Sequence, residues 1–256
     1  MDNLNIENNW NTMAIAYEKF TENPDSYSYQ VEWPYIKKML PFLENKKILD
    51  LGGGTGRFAL LFSEYNPESI TVVDISKQML SIGKQKADKS NSKIKFIKAD
   101  ICDLKELQNN SYDFIFSSTT FHYLENLEGV FNNVSRLLKT DGKAIISTIH
   151  PIYTSQYPIA NGEVFPSDCD WEVRYMDKRE RSYIQPWIEF NSEIENYLSI
   201  SYHHTISDYV NAIYNAGLKI ERFEEPLPPA EWQDEFPQRF KAYIKTPTFL
   251  VFSLTK

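Results

Sequence analysis

The chain has 256 residues, with 27 basic against 35 acidic side chains for a formal charge of −8 and an apolar share of 42%, which is enough for one large domain. The acidic balance argues against sequence-independent binding to nucleic-acid backbones, which takes clustered Lys and Arg, and no run of about eighteen apolar residues is present to span a membrane. Residues 1–10 are polar and do not read as a signal peptide, while Cys102 and Cys169 lie too far apart in sequence for a disulfide framework or a zinc site and point to a reducing cytoplasm.

In chain order, residues 1–45 read as a helical cap, with Trp33-Pro34 placing a proline in the first turn of a helix that runs to Leu40. From residue 46 to 150, short apolar runs alternate with helical periods. The runs cover 48–51, 70–73, 94–99, 112–116 and 144–149. Between them Phe58, Leu61, Phe62 and Tyr65 repeat at helical spacing. Leu127, Val130, Phe131, Val134, Leu137 and Leu138 do the same, with Gly142 as a stop. Asp103 reads as a cap for a short segment over 104–107.

Strands that are apolar throughout, alternating with amphipathic helices, indicate a parallel sheet covered on both faces. Residues 151–204 hold strand-like stretches at 172–175, 188–190 and 197–202 but no long helical period, and read as a lid or acceptor insertion. Residues 205–256 complete the sheet: Thr205 caps a helix that stops before Gly217, and 218–223 and 249–254 supply two last strands. The predicted architecture is α/β, a doubly wound and mostly parallel seven-stranded sheet. An N-terminal helical cap and a small β-rich insertion complete one domain.

Glycine is scarce. Nine are present where average usage near ~7% would give about eighteen, and four of them, Gly52, Gly53, Gly54 and Gly56, fall within five positions. They belong to a D-x-G-x-G-x-G pattern over 50–56, between a predicted strand and a predicted helix. There, backbone can approach a ligand at the positive end of a helix. A dinucleotide fingerprint starting at Gly52 needs glycine where Arg57 stands, and one starting at Gly53 fails at Thr55. A phosphate-binding loop needs Lys-Ser/Thr where Arg57-Phe58 stand.

What remains resembles the first motif of class I S-adenosylmethionine-dependent methyltransferases, which have a Rossmann-like fold. The resemblance implies that Gly52 and Gly54 line the methionyl moiety, with Asp50 orienting the loop. It implies that Asp74 accepts the ribose hydroxyls, that Ile75 and Met79 pack on the adenine, and that Asp100 and the Ile101 N–H meet the adenine edge. Ser117 would lie near the ligand amine, and Tyr17, Tyr29 and Trp33 near the mouth of the cofactor site. Taken singly, Asp74 and Asp100 also read as helix caps or turn residues. Jointly, these signals fall at the carboxyl ends of successive strands, where open α/β sheets bind ligands.

Asn23-Pro24-Asp25-Ser26-Tyr27, Glu32-Trp33-Pro34, His150-Pro151 and Tyr202-His203-His204-Thr205 resemble a group of bacterial small-molecule methyltransferases with an insertion after the fifth strand. His204 stands where that group carries an arginine. Ser117-Ser118-Thr119-Thr120 stands where nucleic-acid amino-methylating enzymes carry Asn/Asp-Pro-Pro-Tyr/Phe.

Methyl transfer from a sulfonium is an in-line displacement that needs a positioned acceptor and in some cases a base. His122, His150 and His203 are the candidate bases, and Tyr153 or Trp171 the aromatic candidates near the acceptor. No spacing for metal ligands is evident. The expectation is a cytoplasmic enzyme, monomer or homodimer, using S-adenosyl-L-methionine on a small-molecule acceptor, with no nucleic-acid or membrane partner. Two rivals stand beside it: a non-catalytic S-adenosylmethionine-binding regulator and a nicotinamide-dependent oxidoreductase.

Overall fold

The computed structural model describes residues 3–157, 172–178, 180–184 and 198–256. Helix α1 (Asn3–Thr21), a π-helical turn (Ser28–Glu32) and α2 (Trp33–Met39) form the N-terminal cap. Then come β1 (Lys47–Leu51), α3 (Arg57–Ser63), β2 (Ser69–Asp74), α4 (Lys77–Lys89), β3 (Ile94–Lys98), β4 (Tyr112–Ser118), α5 (Leu127–Leu137) and β5 (Leu138–Ile149). After a short α6 (Pro151–Thr154), two small antiparallel pairs follow: β6 (Gln156–Tyr157) with β7 (Glu172–Val173), and β8 (Glu180–Ile184) with β9 (Leu198–Tyr202). The chain closes with α7 (Ile206–Asn215), β10 (Lys219–Glu224), α8 (Trp232–Glu235), α9 (Pro237–Tyr243) and β11 (Phe249–Thr255).

Seven strands form one sheet in the order β10-β11-β5-β4-β1-β2-β3. β1 to β5 run parallel, and β11 enters antiparallel between β5 and β10. Period-two alternation sends neighbouring side chains to opposite faces. Ile48, Phe114 and Phe116 pack with Phe58 and Phe62 of α3 and Ile36 of α2. Leu49, Leu51 and Ile115 pack against Val130, Phe131 and Val134 of α5 and Ile213 of α7. All seven expected core strands are present, and Pro34 sits in the first turn of α2 as expected.

Asparagine opens the strands. Asn45, Asn66, Asn91 and Asn110 take φ values of 58°, 53°, 52° and 50° just ahead of β1, β2, β3 and β4. Their short polar side chains tolerate the left-handed region, the role glycine more often fills.

Three expectations are corrected. α5 ends at Leu137 and the chain passes directly into β5, so Gly142 is no helix stop. It lies where the β4–β5 register shifts, and a Cβ there would come within 2.8 Å of Leu138 Cδ1. Residues 104–107 form no helix, and Asp103 pairs with Lys105 at 3.1 Å on the surface. The strand expected over 172–175 covers only Glu172–Val173. The stretch 188–190, Cys169 and Trp171 lie outside the described residues, as does residue 197, ahead of β9.

Candidate functional site

The glycine turn joins β1 to α3 at the carboxyl edge of the sheet. Gly52 donates its N–H to Val73 O at 2.7 Å, locking the turn to the end of β2. Gly52 has φ +67°, and a Cβ on it would fall 2.3 Å from Thr120 Cγ2. Gly54, at φ +55°, faces open space instead, with only Met79 Sδ as near as 4.0 Å. One glycine is required by close packing and the other leaves a cradle that a side chain would fill.

That cradle is part of a cavity of about 260 Å³ lined by Gly52, Gly54, Asp74, Ile75, Met79, Asp100 and Ile101. Seven of the ten expected cofactor residues, drawn from the ends of β1, β2 and β3 and the segments that follow them, therefore meet in one place. Trp10 and Tyr17 of α1 close one side, and Ser118, Thr119, Thr120 and Tyr123 another. Trp10 meets Tyr123 edge-on at 5.1 Å. α1 is tied to the β2–α4 corner because the Asn11 side-chain oxygen accepts both the Ser76 hydroxyl (2.8 Å) and the Gln78 N–H (3.0 Å).

Asp74 accepts the Gly54 N–H at 2.9 Å and the Ser76 N–H at 2.8 Å, one on each oxygen. Asp100 accepts the Cys102 N–H at 2.8 Å. Both are thus turn residues as well as cavity walls, and a carboxylate has about four lone-pair sites, so acceptor capacity remains. Asp50 is only 1% exposed and its Oδ2 meets no donor. Burial, then the Asp74 charge, pushes its pKa up to about 8, with Arg57 opposing. Asp74 rises to about 6, because burial outweighs the N–H groups of Ser76, Gly54 and Ile75. Asp74 is the more open of the two carboxyls, which agrees with its smaller rise.

The remaining expected residues stand elsewhere. Ser117 is fully buried and donates its hydroxyl to Leu51 O at 2.7 Å, so the pleat turns it away from the cavity and presents Ser118 instead. Tyr29 lies beneath the Arg57 guanidinium at 5.6 Å, and Trp33 packs on Phe58 at 5.6 Å. Neither lines the cavity, nor does Tyr153.

None of the three candidate bases reaches the cavity either. His150 Nδ1 accepts the Ile152 N–H at 3.0 Å as the cap of α6. Its Nε2 therefore carries the proton and donates to Glu225 at 2.8 Å. His203 Nε2 donates to Tyr175 O at 2.8 Å, and its Nδ1 lies 2.7 Å from the Thr154 hydroxyl. Burial, with a smaller effect from His204, drives His122 down to about 3. That ring stays neutral at physiological pH and is a weak base. The histidines hold loop ends together, a role the sequence shares with catalysis.

Sequence reasoning missed Trp10, the Ser118–Thr120 wall and Glu32. Thr119 at φ +49° carries non-glycine strain beside the site. The Ser118 hydroxyl donates to Glu32 at 2.6 Å across 86 residues of sequence, a pairing no local pattern marks.

Comparison with known proteins gives three kinds of match. Residues 49–146 match the family model described as a methyltransferase domain. An uncharacterized protein of Haemophilus influenzae is 30% identical over 233 residues, 86% of each chain. A malonyl-[acyl-carrier protein] O-methyltransferase of Bacillus cereus is 29% identical over 144 residues, 56% of this chain and 52% of that enzyme. Among solved structures, an S-adenosylmethionine dependent methyltransferase from Mesorhizobium loti superposes with a TM-score of 0.72 at 27% identity, covering 88% of this chain and 97% of that one.

Proposed function

The chain belongs to the S-adenosylmethionine-dependent methyltransferases, and we propose that its cavity holds the cofactor along the ends of β3, β2 and β1 in that order. The observation that carries this reading is the convergence of seven expected residues on one cavity at the carboxyl edge. Asp100 and the Ile101 N–H receive the adenine edge, Ile75 and Met79 its faces, and Asp74 the ribose hydroxyls. Gly52 and Gly54 let backbone approach the methionyl tail, and Asp50 steadies the turn from below.

S-adenosylmethionine supplies an electrophilic methyl group on a sulfonium sulfur. The protein's part is to orient, to exclude water and to present the acceptor. Trp10, Tyr17 and Tyr123 wall the cavity with aromatic faces, which attract cations at about 0.5–2 kcal/mol each. With no histidine facing the cavity, catalysis rests on positioning, which supplies roughly 7–11 kcal/mol in well-oriented cases.

The acceptor in this reading is a small molecule, and the enzyme is cytoplasmic. The charge of −8 and the Ser117–Thr120 sequence speak against nucleic acid. The Bacillus cereus relative, named for a malonyl substrate, supports a small acyl or similar group. Among the described residues no helix is long and apolar enough to cross a membrane, and Cys102 is a free thiol.

Calorimetric titration with S-adenosylmethionine and with NADH tests the cofactor. Binding of the first alone is expected, and Asp74→Ala should weaken it by roughly 1–3 kcal/mol, the value of a charged hydrogen-bond partner. Binding of NADH alone would make the chain an oxidoreductase. Labelled S-adenosylmethionine incubated with a metabolite extract should then yield a labelled small product. Binding without transfer to any acceptor would favour a regulator.

A further inference from the structure

Glu32 closes the π-helical turn, is fully buried, and is only half satisfied. Its Oε1 accepts the Ser118 hydroxyl, while Oε2 meets no donor at hydrogen-bonding geometry. The groups that face it come from five elements: Arg57 from α3, Tyr17 from α1, Ser118 from β4, Ser147 from β5 and Ser28 from its own turn. Burial raises its pKa against the combined pull of the hydroxyls and Arg57. Arg57 mirrors this state. Its guanidinium lies over Phe58 at 4.6 Å and Tyr29 at 5.6 Å, and its buried Nη1 has no partner. No ion pair joins the two residues. Two open buried atoms of opposite charge are costly unless something completes them.

Position gives the rest. Ser118 lines the cavity, and its one proton is committed to Glu32, so toward the cavity its oxygen offers lone pairs backed by a carboxyl group. Thr120, two residues on, donates to Gly52 O at 3.2 Å, which puts this wall against the glycine turn. In the sheet order β3-β2-β1-β4, it stands at the opposite end from Asp100.

We propose that Glu32 and Ser118, with Arg57 beside them, receive the zwitterionic α-amino-acid end of S-adenosylmethionine: the ammonium meets Ser118 Oγ and the Glu32 carboxylate, and the carboxylate faces the Arg57 guanidinium. This rests on the cofactor reading above. These are positioning residues. Burial favours the protonated carboxyl in the free protein, and the arriving ammonium favours the carboxylate. Binding therefore releases the Glu32 proton to the buffer.

The test is calorimetry on the full chain with S-adenosylmethionine and with 5′-methylthioadenosine, which keeps the adenosine and lacks the amino acid. Buffers of different ionisation enthalpy count the protons released. For Glu32→Gln we expect S-adenosylmethionine affinity to fall about 10- to 100-fold, proton release to vanish, and 5′-methylthioadenosine affinity to change less than twofold. Ser118→Ala, which spares the carboxyl group, should weaken S-adenosylmethionine binding several-fold with the same selectivity, and stands in if the Gln variant does not fold. Equal losses for both ligands, or no loss for either, overturn the proposal. If the unaltered protein binds neither ligand, the cofactor reading itself fails and the proposal falls with it.

Discussion

At the scale of single residues, two carboxyl groups on neighbouring strands are set apart by solvent. Asp74 opens on the cavity and is held by two backbone N–H groups, whereas Asp50 is sealed and has one oxygen unpartnered. Asp50 titrates near 8 in the fold, against about 3.9 in an unfolded chain. Between those values the folded state binds the extra proton, so its contribution to unfolding free energy falls as pH rises. Asp50→Asn removes that loss. Denaturant unfolding at pH 6 and pH 8 should show the variant gaining on the parent by on the order of 1–2 kcal/mol between the two. A difference independent of pH would contradict the assignment. Asp74, Ile75, Asp100 and Ile101 were legible because each ends or follows an apolar run. Ser118 was not, since Ser117 and Ser118 differ only in which way the pleat points them, and a run of Ser and Thr hides the register. Glu32 was not because its partners come from distant parts of the chain.

At the scale of elements, caps decide where helices begin. The Thr205 hydroxyl accepts the Asp208 N–H at 3.1 Å, and Asp208 accepts the Thr205 N–H at 2.9 Å, closing a capping box at the start of α7. Lys178 reaches Asp208 at 2.6 Å and ties the insertion to the same point. Thr205→Ala should cost about 1 kcal/mol, a fall of roughly 2–4 °C in Tm for a chain of this size. An unchanged melting curve would show the cap to be idle. This helix was legible from Thr205 and Gly217, because cap and stop are local chemistry. The end of α5 was misread because the helix passes into β5 without a turn, leaving no stop residue to see. The two-stranded pairs of the insertion were read less well, since such short ladders leave little periodicity.

At the scale of the whole molecule, glycine scarcity and the position of the site have one explanation. Asparagine takes the left-handed residues ahead of β1 to β4, which leaves glycine concentrated where backbone must lie bare beside a ligand. The sheet then sets the order of functions along its edge: adenine at β3, ribose at β2, methionyl tail at β1, and the Glu32–Ser118 wall at β4. α1 roofs the cavity with Trp10 and Tyr17, anchored through Asn11 to Ser76 and through Glu18 to Lys86. A crystal structure with S-adenosylhomocysteine tests that order most directly. The account predicts adenine at Asp100 and Ile101, ribose hydroxyls on Asp74, and the amino-acid tail over Gly52 and Gly54. A ligand lying in the reverse direction, or bound away from the carboxyl edge, would contradict it.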